Sequence, residues 1–149
     1  MQALPHRYSV TAGVHGNERV FLTSHGLPTL ASAAPSEFNG PGDQWSPETL
    51  LVAAVADCLV LTFRAVANGS KLPWVSLTCD VEGLLERKDH ITAFTAFKIS
   101  AHLEIPEGVS EVRAHRLLVK ADETCLVTRS LKAAVQFDPE ITTVAPAPA

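Results

Sequence analysis

The stretch Ser46–Phe63, SPETLLVAAVADCLVLTF, constrains the fold more than any other part of the chain. Ser46 is a favourable N-cap, and Pro47 suits the first helical position, where an N–H would lack a partner anyway. Glu48 falls in the first turn, where its charge complements the helix dipole. The pattern predicts a helix that runs to Asn68, with Gly69 closing it. From Leu50 onward this helix is apolar on nearly every side, so it must be covered on every side. One small sheet covers a single face, and the other face calls for a second copy of the chain.

The flanking segments supply the sheets. Upstream, RYSVTAGV places Tyr8, Val10, Ala12 and Val14 on one face, and HGNE turns the chain into a second strand, RVFLTSH. TLASAA reads as a third strand, and PSEFNGPGDQW as a loop. Gly40-Pro41-Gly42 within it reads as a flexible loop rather than a phosphate cradle, since no strand leads into it. Downstream, Val75, Leu77, Cys79 and Val81 share one face of a strand. RKDH turns it into a partner strand with Ile91, Ala93, Phe97, Ile99, Ala101, Leu103 and Ile105 on one side. Ser110 then caps a helix whose Ala114, Leu117, Leu118 and Ala121 fall at i, i+3, i+4 and i+7, a stripe that four more residues extend to Cys125. LVTRSLK reads as a short helical turn. AAVQFDPEITTV reads as a last strand that Pro139 confines to an edge or end. These elements predict one α+β domain over residues 1–144, followed by a disordered Ala/Pro tail at 145–149.

Composition removes several function classes. The chain has 149 residues, 46% hydrophobic and 19% charged, with a net charge of −4. A nucleic-acid partner, which calls for a basic patch, is not expected. The run from Leu50 to Phe63 is shorter than the roughly 20 residues of a membrane span, and Asp57 interrupts it, so no membrane partner is expected. The opening MQALPHRYSV has no signal-peptide core, so the expected location is cytoplasmic. The six histidines, at 6, 15, 25, 90, 102 and 115, include no i, i+4 pair, so no metal is expected.

Chemistry rests on the cysteines. Cys58, Cys79 and Cys125 are odd in number and widely spaced, which excludes a disulfide scaffold and a zinc ribbon. Such cysteines are either buried filler or reactive thiols. Redox work needs an attacking thiolate and a second thiol that resolves its oxidised form. Cys58 and Cys125, both on core-facing helical segments, are the candidates; Cys79, on the inward face of a strand, reads as packing.

These residues carry a resemblance. WSPETLLVAAVADCLVLTF, a long hairpin, a helix and ADETCLVTRSLKAAV together resemble the OsmC/Ohr family, the osmotically inducible protein C and organic hydroperoxide resistance proteins. One motif is Pro47-Glu48, the Ala-rich run and Cys58; the other is Cys125 with Thr128 three places on. The resemblance implies an OsmC/Ohr-like α+β fold, antiparallel sheets wrapped around long central apolar helices in an intertwined homodimer. It implies an enzyme that reduces organic hydroperoxides, alkyl or fatty, without a bound cofactor. Cys58 would be the peroxidatic and Cys125 the resolving cysteine, joined by a disulfide after turnover. Glu48 matches the acidic partner, and Arg19 is the best match for the arginine that activates the thiolate. A dithiol of dihydrolipoyl type, on a lipoylated protein, is the implied reductant. Two departures stand out: HGNERVF lacks a Gly-Gly-Arg context around Arg19, and Leu126-Val127 replaces a proline and an apolar or aromatic residue. They point to the OsmC-like branch.

Two other readings fit the same residues. One is a non-catalytic homodimer of this fold that binds an apolar small molecule or acts as a thiol redox sensor. The other is a cysteine-nucleophile hydrolase, for which Cys58 has no histidine close in sequence.

Overall fold

Ser46 caps the long helix through a reciprocal pair of hydrogen bonds. In the computed structural model, which describes residues 1–146, the Thr49 N–H donates to Ser46 Oγ at 3.1 Å and the Ser46 N–H donates to Thr49 Oγ1 at 2.8 Å. This is a capping box with threonine in its third position. Helix α1 then runs Pro47–Gly69.

Its end differs from expectation. Gly69 stays helical, and the left-handed residue is Lys71, at φ 52°. The Lys71 N–H donates to the Asn68 carbonyl at 3.2 Å and the Leu72 N–H to the Ala67 carbonyl at 2.9 Å. That pair of bonds is a Schellman motif. Buried Leu72 and the Arg113 guanidinium, which donates to the Ser70 carbonyl, hold the chain there. Tertiary anchors thus override the conformational preference of glycine.

The chain divides into two compact units, Met1–Leu51 and Val52–Ala149, with the boundary inside α1. The first unit carries an antiparallel sheet of β1 (Thr11–Gly13), β2 (Val20–Thr23) and β3 (Leu30–Ser32), in that order. All three expected strands form, but the first is shorter than its alternation suggested, and Tyr8, Val10 and Val14 are exposed. The segment after β3 is fixed rather than flexible. Ser36–Phe38 form a 3-10 turn, Asn39 is left-handed at φ 60°, and the Gly40 N–H donates to the Pro35 carbonyl at 2.9 Å. A side chain on Gly40 would overlap the backbone carbonyls of Ala34 and Pro35.

The second unit carries β4 (Ser76–Lys88), β5 (Ile91–Pro106), α2 (Glu111–Thr124), α3 (Leu126–Arg129) and β6 (Ala134–Val144). Strands β4 and β5 form the expected hairpin, closed by Asp89 and His90, both at positive φ as a two-residue turn requires. The β6 strand lies at the edge, as Pro139 demanded, and pairs with β5 in parallel. The all-antiparallel expectation fails at this pair because the chain returns through α2, which packs on β6, instead of through a tight turn.

A bulge corrects the expected face of β5. Leu84 pairs with Ala96 and Leu85 with Phe94, leaving Thr95 as the extra residue. Beyond it the alternation changes phase, so Ile91 and Ala93 are exposed and Phe94 turns inward onto Phe97, ring centroids 5.2 Å apart. Gly83 lies under both rings and under Val52 of α1, with no room for a Cβ.

The core joins three stripes: Val55, Leu59, Phe63 and Ala67 of α1; Phe97, Ile99, Ala101, Leu103 and Ile105 of β5; and Ala114, Leu117, Leu118 and Ala121 of α2. Each large apolar side chain so buried contributes about 1.5–3 kcal/mol. The α2 stripe is the one its sequence spacing predicted. Only one stripe of α1 is sealed. By length and composition α1 could cross a membrane, since the whole helix is longer than the run from Leu50 to Phe63. Ala145 and Pro146 have no regular structure, and the remainder of the expected disordered tail lies outside the described residues.

Candidate active site

Cys58 sits half-buried at the middle of α1, one residue before the sealed Leu59. Cys125 occupies the joint between two helices. The α2 helix stops at Thr124, one residue short of the extension its stripe suggested. Cys125 is extended (φ −62°, ψ 112°), ending α2 and starting α3. Its backbone is held from both sides. The Cys125 N–H donates to the Asp122 carbonyl at 3.2 Å, and the Cys125 carbonyl accepts from Arg129 N–H at 3.1 Å and Thr128 Oγ1 at 3.0 Å. Thr128 of the second motif therefore fixes the backbone that carries the thiol. The side chain stays fully buried although the helix has ended.

The two thiols are close enough to influence each other's ionisation, and both are free. Burial pushes the Cys58 thiol up, but hydrogen bonds outweigh it. The Cys125 thiol, the Val127 backbone, the Thr62 hydroxyl and the Leu126 backbone, in that order, favour its ionised form and together hold Cys58 below the ordinary thiol range. Burial raises Cys125, and donating to Cys58 raises it further, against the opposing contacts of Thr128. Of the two sulfurs, Cys58 is therefore the one that gives up its proton more readily. Such a pair is suited to nucleophilic attack by one sulfur and resolution by the other.

Cys79 is kept out of this chemistry. Burial, then the charges of Asp80, Cys125 and Asp122, push it from 9.0 to about 11. The unfolded thiol thus loses its proton before the folded one. Its contribution to stability is intact below about pH 9 and is lost as pH rises toward 11. Urea unfolding titrated over that window should show a falling midpoint that Cys79→Ala flattens. An unchanged slope would assign the fall to other groups.

Glu48 and Arg19 lie in the first unit and do not meet there. Glu48 borders an apolar cleft of about 430 Å³ between Ala12, Val20, Leu22, Phe38 and Leu50. Its Oε2 is buried without a hydrogen-bond partner, which leaves a strong acceptor waiting for a donor. Arg19 is exposed on the loop before β2, beside Asn17, Glu18 and Phe21, and does not line that cleft. Sequence reasoning missed Thr62, whose hydroxyl lies 3.8 Å from the Cys58 sulfur. Thr62 had a usable signal, since residues i and i+4 of a helix are neighbours. The end of α2 at Thr124, which puts Cys125 at the joint, is announced by no local pattern.

The geometry agrees with three comparisons. A family model described as OsmC-like protein matches residues 40–140. The chain is 28% identical over 141 residues to the uncharacterized protein YmaD of Bacillus subtilis (strain 168), covering 91% of this chain and 93% of that protein. Its fold is similar to that of an OsmC-like protein of unknown function from Vibrio cholerae, with a TM-score of 0.81 at 16% identity, covering 91% of this chain and 99% of that one. It is also similar to an organic hydroperoxide resistance protein OsmC from Legionella pneumophila, with a TM-score of 0.71 at 26% identity, covering 93% and 99%. With its mixed α+β architecture and a family match across more than half its length, the chain belongs to the OsmC-like protein family.

Proposed function

We propose that this protein is a thiol peroxidase that reduces organic hydroperoxides. The observation that carries the reading is the pairing of Cys58 and Cys125, in which one thiol is made easier to ionise and its partner harder. The family membership and the organic hydroperoxide resistance protein of similar structure support it.

The Cys58 thiolate attacks the outer oxygen of ROOH. Its electron pair forms an S–O bond, the O–O bond breaks, and the alkoxide leaves as alcohol after taking a proton, for which the Cys125 thiol is the adjacent source. Cys58 is now a sulfenic acid. The Cys125 sulfur attacks it, the S–S bond forms, the S–O bond breaks, and hydroxide leaves as water with a proton from solvent. Resolution prevents the irreversible sulfinic step. An external dithiol, of dihydrolipoyl type, returns two electrons and two protons by exchange. The direct test is consumption of cumene hydroperoxide with dihydrolipoamide as reductant. No consumption above the uncatalysed rate would reject the reading. Reversible binding of an apolar ligand in the Glu48 cleft would then favour the non-catalytic alternative, for which that cleft is the supporting observation.

The working form in this proposal is a homodimer. Its support is the single sealed stripe of α1, with Leu61 of the same helix exposed. Glu48 and Cys58 are ten residues apart on α1, so their backbones are separated by about 15 Å along the axis. A glutamate side chain cannot span that gap, and Glu48 therefore serves the thiol of a second copy, with Arg19 as the proposed activating cation. Co-refolded Glu48→Ala and Cys58→Ser chains, each inactive alone, should recover up to about a quarter of the activity if heterodimers form at random. No recovery in confirmed heterodimers, or a fully active monomer in sedimentation, would refute this role for Glu48.

A further inference from the structure

Thr62 stands one turn after Cys58 on α1, and its hydroxyl lies 3.8 Å from the Cys58 sulfur. A helical threonine ordinarily returns its hydroxyl to a backbone carbonyl three or four residues back. Three others in this chain do so: Thr49 to Ser46, Thr124 to Lys120 and Thr128 to Cys125. Thr62 bonds the sulfur instead. It is half-buried, so the bond is partly shielded from competing water.

Either atom of this contact can donate while Cys58 is a thiol, but once the sulfur ionises only the hydroxyl can. The hydroxyl carries no charge and no titratable proton near neutral pH.

We propose that Thr62 is a further catalytic residue, whose hydroxyl donates to the Cys58 sulfur and holds it as the attacking thiolate. The assignment deepens the peroxidase reading and takes its catalytic meaning from it. The contact itself is measurable without any peroxide.

The test is the pH dependence of Cys58 alkylation by iodoacetamide, with the labelled residue confirmed by peptide mapping. Cys125 is the titratable group facing this sulfur, so the profile is taken in the wild type and again in Cys125→Ser. Thr62→Val keeps the shape and removes the hydroxyl. It should raise the midpoint by about one pH unit, so that alkylation below the midpoint is about tenfold slower. Thr62→Ser keeps the hydroxyl and should retain the wild-type midpoint, while Thr62→Ala, which also loses packing, should match Thr62→Val. An unchanged midpoint in Thr62→Val, or an equal shift in Thr62→Ser, would overturn the assignment. A shifted midpoint in a protein that consumes no hydroperoxide would uphold the Thr62 contact and reject the peroxidase reading instead.

Discussion

Cys58→Ser should lower dithiol-dependent hydroperoxide consumption by at least about a thousandfold, the scale seen when a covalent nucleophile is removed. A serine hydroxyl in the same place is not ionised by neutral hydrogen bonds, so no anion remains to attack the peroxide. Cys125→Ser should behave differently. Its Cys58 still reacts once, but the sulfenic acid has no neighbouring thiol, so it accumulates and a dimedone adduct should map to Cys58. In the wild type, mild hydroperoxide should instead join Cys58 to Cys125 within one chain. Cys79, held as a thiol by burial and by acidic neighbours, should stay unmodified. A disulfide that includes Cys79, or a Cys58→Ser protein with substantial turnover, would break the assignment.

Gly40→Ala should cost about 2–4 kcal/mol in urea unfolding, or rebuild the loop before α1. The added methyl would meet the Ala34 and Pro35 carbonyls, which are backbone and cannot rotate aside. Gly83 is crowded differently, by the ends of Phe94, Phe97 and Val52, which can yield by small rotations. Gly13→Ala is the control, since nothing lies within 4 Å of a Cβ there. Equal stability of the Gly40 and Gly13 variants would show that the close approach does not matter. Ala34 and Pro35 also line the Glu48 cleft, so the same substitution should reshape it.

Much of this molecule is legible locally. Ser46 and Ser110 announce their helices because a capping hydroxyl acts within three residues. Ala114, Leu117, Leu118 and Ala121 announce a buried face because helical periodicity is a property of the chain itself. What escaped reading depends on partners distant in sequence. Lys71 takes the left-handed cap because Leu72 and Arg113 anchor the chain beyond it. Phe94 turns inward because Thr95 is squeezed out of the ladder against Leu84 and Leu85. The site divides the same way. Cys58 and Cys125 could be picked out as residues, but the stop of α2 at Thr124, which leaves Cys125 at the joint with α3, could not. Arg19 and Glu48 were matched by resemblance, and the single chain leaves them apart.

The position of Cys125 at the joint of α2 and α3 has a mechanical consequence. In the proposed cycle, oxidation ties the middle of α1 to that joint and closes a loop of about 68 residues. A cross-link over that length stabilises the folded state by about 4 kcal/mol through loss of chain entropy on unfolding. The oxidised protein should therefore melt at a higher temperature than the reduced one. The same linkage makes the disulfide harder to reduce in the folded chain than in an unfolded one. A reductant must then open the more tightly knotted of the two states, and the melting temperature becomes a gauge of how far the pool of chains has been turned over.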